Sequence, residues 1–166
     1  MSVTDQLLAN NEAYAERFDG TGLPGSPARK VAVVACMDAR LDVHGALGLG
    51  LGDVHVIRNA GGVVTDDIIR SLAVSQHLLG TEEIVLLHHT DCGMQRFSDE
   101  ELAERLRKET GERPAWRGRA FTDLDESVRQ SIRALKESPF IPHKAVRGFV
   151  FDVKTGKLRE ILLNSR

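Results

Sequence analysis

The sequence predicts an α/β fold, with a mostly parallel central sheet flanked by helices and preceded by an N-terminal helical arm. Three observations lead there. Residues 31–35 and 84–87 are apolar at every position and rich in β-branched types, as strands buried on both faces of a parallel sheet must be. Capped segments with helical apolar spacing alternate with the strand-like runs, so the strands are joined by crossovers and run parallel. The chain then closes with an apolar run, a Thr155-Gly156 turn and a second run, which reads as a hairpin adding one antiparallel strand at the sheet edge.

Taken in order, residues 3–18 carry Val3, Leu7, Tyr14 and Phe18 at helical spacings among polar residues, an arm able to lie across a neighbour. Residues 19–27 are dense in Gly, Pro, Ser and Asp, so residues 1–28 form a helical arm and linker attached to a single domain spanning 1–166. Strand one covers residues 30–36. Residues 42–51 are a short helix or a glycine-rich loop, and residues 53–60 form strand two, ended by Gly61 and Gly62. Thr65 caps a helix that reaches Leu79, with acids in its first turn and Gly80 as its stop. Residues 83–89 make strand three. Ser98 and Glu101 form a capping box that starts a charged helix ending at Gly111, and residues 112–121 are a loop. Thr122 caps a last helix bearing Leu124, Val128, Ile132 and Leu135, stopped by Ser138 and Pro139. Residues 145–153 and 158–163 are the two hairpin strands.

Composition narrows the function classes. At 166 residues and 42% hydrophobic content the chain can bury a core of its own, so one globular domain is expected. No stretch approaches the roughly 18 apolar residues of a membrane span, and no leader-like run opens the chain, so a cytoplasmic protein without membrane association is expected. A formal charge of −2, one Trp and one Tyr offer neither a basic field nor stacking platforms for nucleic acid. The basic residues Arg105, Arg107, Lys108, Arg113, Arg117 and Arg119 alternate with Glu101, Glu104, Glu109 and Glu112, the pattern of a solvated, ion-paired face. The two cysteines lie 56 positions apart, which suits a metal pair or two inert core thiols better than a disulfide framework.

Chemistry concentrates at two strand ends. Cys36-x-Asp38-x-Arg40 ends strand one, and His89-x-x-Cys92-Gly93 ends strand three. Alone, each cysteine reads as a small buried hydrophobe and the histidine as a packed ring. Together, two thiolates and one imidazole leave a fourth position for water, the arrangement of catalytic zinc. Zinc brings the pKa of a bound water toward neutrality, and Asp38 can accept that group's hydrogen bond and aim a lone pair at an electrophile. Arg40 can hold Asp38 ionised through a bidentate pair, and if the stretch is extended Cys36, Asp38 and Arg40 all point one way. When that pair opens, Asp38 is close enough to become a fourth ligand and close the site. A shared ion also requires strands one and three to be adjacent. The order is then 2-1-3-4 plus the antiparallel edge strand, with the site at the switch point where open α/β sheets place theirs. His88 faces the opposite side of strand three and takes a structural role. His44, His55, His77 and His143 read as surface or packing residues, and the turn at 59–62 lies near the cleft.

These two motifs, in this order, resemble the β-class carbonic anhydrases, and the resemblance extends over about residues 30–163 in the manner of the compact bacterial and mycobacterial-type branch. The resemblance implies one zinc ion per subunit on Cys36, His89 and Cys92, with Asp38 and Arg40 as the catalytic pair. The implied reaction is reversible hydration of CO2 to bicarbonate and a proton. It also implies a homodimer or homotetramer with the N-terminal helix reaching over the partner. Ala39 departs from the commoner pattern, which has Ser between the Asp and the Arg. Two other readings remain open on the sequence: a hydrolase of COS or CS2 on the same scaffold, and a structural or redox zinc protein in which Asp38 fills the fourth position permanently.

Overall fold

Residues 2–163 are described by a computed structural model; Met1 and residues 164–166 lie outside the described residues. The strands are β1 (Val31–Cys36), β2 (Val54–Asn59), β3 (Glu83–His89), β4 (Ala145–Phe151) and β5 (Leu158–Ile161). They form one sheet in the order β2-β1-β3-β4-β5. The first four are parallel and β5 runs antiparallel to β4, as the crossovers and the closing hairpin predict, and β1 lies beside β3, as the shared-ion argument requires. The helices are α1 (Val3–Ala15), α2 (Val43–Leu47), α3 (Asp66–His77), α4 (Asp99–Thr110) and α5 (Leu124–Glu137).

Strand alternation sorts the core onto two faces. Ala32, Val34, Ile84 and Leu86 point to one, where they meet Ile68 and Leu72 of α3 and Val128, Ile132 and Leu135 of α5. Val33, Ala35 and Leu87 point to the other, against Leu41, Val43, Met94 and Phe151. Each fully buried Leu or Ile contributes about 1.5–3 kcal/mol, so these layers hold the strand ends rigidly in place. Gly148 of β4 lets α5 come close, because a side chain there would run into Val128 and Ile132.

Local signals set most element boundaries. Ser98 Oγ accepts from Glu101 N at 3.1 Å while Glu101 Oε2 accepts from Ser98 N at 2.7 Å, the expected capping box, and Gly111 ends α4 in the left-handed conformation. Thr65 caps α3 as expected, but that helix stops at His77, two residues early. The cap of α5 is Asp123 and not Thr122. Asp123 Oδ1 accepts from Glu126 N at 2.9 Å, whereas Thr122 contributes its carbonyl to the Gln95 amide at 3.0 Å. The hairpin strands are also shorter than expected: Asp152 turns the chain directly after β4, its Oδ1 accepting from Lys154 N at 2.7 Å. Helix α1 buries none of its residues. Among the described residues no helix is long and apolar enough to cross a membrane.

Candidate metal centre

Parallel register brings the two motifs together. Ala35 of β1 is level with Leu87 of β3, so the ends of both strands open at the same height. Cys36 is the last residue of β1, His89 the last of β3, and Cys92 lies three residues further on in the turn. Their donor atoms all fall within 4.8 Å of one another, and all three residues are buried. Gly62 makes this convergence possible. It has φ +65°, and a Cβ there would lie 2.8 Å from the Cys36 nitrogen and 3.1 Å from the Leu87 carbonyl oxygen, so only glycine fits between the strands.

The donor set suits zinc. His89 Nδ1 donates to the Thr90 carbonyl at 2.8 Å, which fixes the ring and leaves Nε2 as the unprotonated nitrogen. That Nε2 is buried and has no hydrogen-bond partner, a costly arrangement unless a cation takes the lone pair. The Cys92 thiol, hydrogen-bonded to Cys36, draws the Cys36 thiol down to about 4, and the same bond together with burial pushes Cys92 up. The pairing thus favours the thiolate, the metal-binding form of cysteine, on Cys36. Burial opposes charge on His89, yet the Cys36 sulfur, the Thr90 carbonyl and the Asp38 carboxylate outweigh it and raise its pKa. The local field is that of a cation site. Three such donors are spaced for one ion with bonds of about 2.0–2.3 Å.

Asp38 stands beside this cluster, its Oδ2 3.7 Å from His89 Nε2. Asp38 and Arg40 are not on an extended segment, since β1 ends at Cys36 and the chain turns at 39–40. The Asp38 carboxylate itself makes that turn: Oδ1 accepts from the Arg40 backbone N at 2.9 Å and from Nε at 2.9 Å, while Oδ2 accepts from Nη2 at 2.9 Å. Arg40 holds the Asp38 carboxyl well below the usual carboxylate range. Sequence reasoning missed three further residues. Arg58 of β2 donates to the Cys36 carbonyl at 2.9 Å and to the Asp38 carbonyl at 2.8 Å, spanning the first motif. Asp91 accepts from Arg40 Nη1 at 3.0 Å and from Arg96 Nη2 at 2.6 Å. An arginine near the end of strand two was the available signal for Arg58; Asp91 was hidden as a spacer between two ligands.

The other histidines among the described residues are not part of the donor cluster. His88 Nε2 donates to the Gly62 carbonyl at 3.1 Å and its Nδ1 faces Ser127 Oγ at 3.5 Å, while burial pushes its pKa down to about 4. It is a neutral strut. His55 bonds Ser75 Oγ at 2.8 Å and the Gly25 carbonyl at 3.1 Å, tying the linker to the sheet. His77 bonds the Phe140 carbonyl, and the His143 backbone is held by Gln76.

Comparison with known proteins agrees with this geometry. Residues 31–158 match the family model described as carbonic anhydrase. The chain is 57% identical over 162 residues to Beta-carbonic anhydrase 1 of Mycobacterium tuberculosis, covering 97% of this chain and 99% of the relative. It is 35% identical over 184 residues to a carbon disulfide hydrolase of Acidithiobacillus thiooxidans, covering 96% and 90%. The crystal structure of carbonic anhydrase from Streptococcus mutans superposes with a TM-score of 0.92 at 48% identity, covering 98% and 99%. With a Cys-His-Cys cluster at the ends of β1 and β3, a matching family model over most of its length and a close full-length relative, this chain belongs to the β-carbonic anhydrase family.

Proposed function

We propose that Cys36, His89 and Cys92 hold the zinc ion of a carbonic anhydrase and that Asp38 and Arg40 act on its reaction, the reversible hydration of CO2 to bicarbonate and a proton. The chain is a zinc enzyme of the lyase class by family, and its buried Cys-His-Cys cluster is compatible with the metal. Bound there, zinc supplies a Lewis acid that makes water nucleophilic near neutral pH. The rest is done by the chain. Asp38, kept ionised by Arg40, accepts a hydrogen bond from the attacking water and orients its lone pair toward the carbon of CO2. As the new C–O bond forms, one C=O electron pair moves to oxygen, and the water's proton leaves to solvent. The buried apolar wall of Val33, Ala35, Leu87 and Met94 behind the cluster limits water there.

The observation that carries this reading is the Asp38–Arg40 pair, with Asp38 Oδ2 3.7 Å from the His89 donor nitrogen, an arrangement with no evident purpose in a purely structural zinc site. The same distance allows Asp38 to serve as a fourth ligand when Arg40 releases it, which closes the site. A cytoplasmic setting goes with the two free buried cysteines, and a homodimer or homotetramer with the exposed apolar residues of α1.

Stopped-flow CO2 hydration by the zinc-loaded protein tests the reading, run beside COS and CS2. CO2 turnover is expected to dominate, and Arg40→Ala is expected to lower kcat by about 10-fold or more with zinc content unchanged. Normal turnover in Arg40→Ala removes the dyad. Faster turnover of CS2 than of CO2 replaces the anhydrase with the hydrolase.

A further inference from the structure

Resting on that reading of Asp38 and Arg40, we propose that Asp91 is a positioning residue for the reaction: anchored by Arg96, it fixes the Arg40 guanidinium and so keeps Asp38 from becoming a metal ligand.

Four of the five N–H groups of a guanidinium are engaged in Arg40. Nε and one Nη2 hydrogen go to Asp38, while Nη1 bonds Asp91 Oδ2 at 3.0 Å and the other Nη2 hydrogen bonds the Asp91 carbonyl at 3.1 Å. Nη2 is the decisive atom. It alone holds Asp38 Oδ2, the oxygen facing His89 Nε2, and it is also the nitrogen shared with Asp91. Asp91 therefore controls the rotation that would free Oδ2.

The backbone supports this assignment. Asp91 is one of three non-glycine residues with positive φ among the described residues, at 54°. Left-handed geometry is uncommon for a residue with a side chain, although Asp and Asn tolerate it better than most. Here it turns the carbonyl and the carboxylate of one residue toward the same guanidinium. Arg96 Nη2 then holds the remaining oxygen, Oδ1, at 2.6 Å. Arg40, Asp91 and Arg96 side chains are all close to half exposed or more, so these pairs contribute little to global stability. Their effect is orientation. A half-exposed arginine with one anchor samples many rotamers, and a second anchor removes that freedom.

The test uses the full zinc-loaded chain at one fixed pH, with Asp91→Gly, Asp91→Asn, Arg40→Ala and the Arg40→Ala/Asp91→Gly double variant. Glycine removes the side chain without left-handed strain, and asparagine keeps a hydrogen-bond acceptor for Nη1. Asp91→Gly is expected to lower kcat about 10-fold with KM for CO2 changed less than about 2-fold, and Asp91→Asn to recover most of the loss. In the Arg40→Ala background the same glycine change is expected to shift kcat by less than about 2-fold, since Asp91 acts only through Arg40. A normal kcat in Asp91→Gly overturns the proposal, as does an equal loss with and without Arg40. Zinc content below one per chain in Asp91→Gly would make Asp91 a support for Cys92 instead, and also overturns it. An unimpaired Arg40→Ala defeats the dyad reading itself. An impaired Arg40→Ala with a silent Asp91→Gly defeats only the assignment of Asp91.

Discussion

At the scale of single residues, the site depends as much on Gly62 as on its ligands. Gly62 passes between the ends of β1 and β3 with φ +65°, and its carbonyl holds the buried His88 ring. Alanine there meets the left-handed penalty of about 1–2 kcal/mol and also presses on the Cys36 nitrogen, so Gly62→Ala is expected to cost more than about 2 kcal/mol of stability. Urea unfolding of the zinc-free protein measures this, and an unchanged midpoint would show that the strand ends tolerate separation. The ligands were legible because cysteine and histidine at strand ends carry chemistry in their identity. Gly62 was legible only as a turn residue, since its closeness to Cys36 is set by a chain segment 26 positions away.

At the scale of elements, capping chemistry located most of the boundaries and failed where two capping residues are adjacent. Thr122 and Asp123 both suit the start of α5, and the carboxylate takes the role because it reaches the Glu126 amide. Asp123→Ala is therefore expected to lower stability by about 0.5–2 kcal/mol, while Thr122→Ala stays within about 0.5 kcal/mol. Denaturant midpoints of the two variants compare them directly, and the reverse ranking would restore Thr122 as the cap. Strand ends were overestimated for a related reason. Periodicity continues past Phe151, but the Asp152 side chain captures the Lys154 amide and turns the chain before the pattern runs out.

For the molecule as a whole, the arm formed by α1 is the conspicuous surface. Val3, Leu7, Leu8, Tyr14 and Phe18 are each 46–71% exposed, an apolar display that a second copy can cover. Deleting residues 1–18 is expected to shift the zinc-loaded protein toward the monomer mass in multi-angle light scattering. An unchanged assembly mass would assign the subunit contact to another face.

The sequence by itself determined the strands and helices, the order 2-1-3-4 with its antiparallel edge, and the Cys36, His89 and Cys92 trio. Each of these is written in local periodicity or in residue chemistry, and the order followed from requiring both motifs to meet at one ion. Only the tertiary structure decided which groups hold Arg40 and the first motif in place. Asp91 reaches Arg40 from the β3 side, 51 positions away, and is itself held by Arg96, while Arg58 reaches Cys36 from β2. Long charged side chains leave no periodic trace in a sequence, so their partners are settled by how the loops after parallel strands come together.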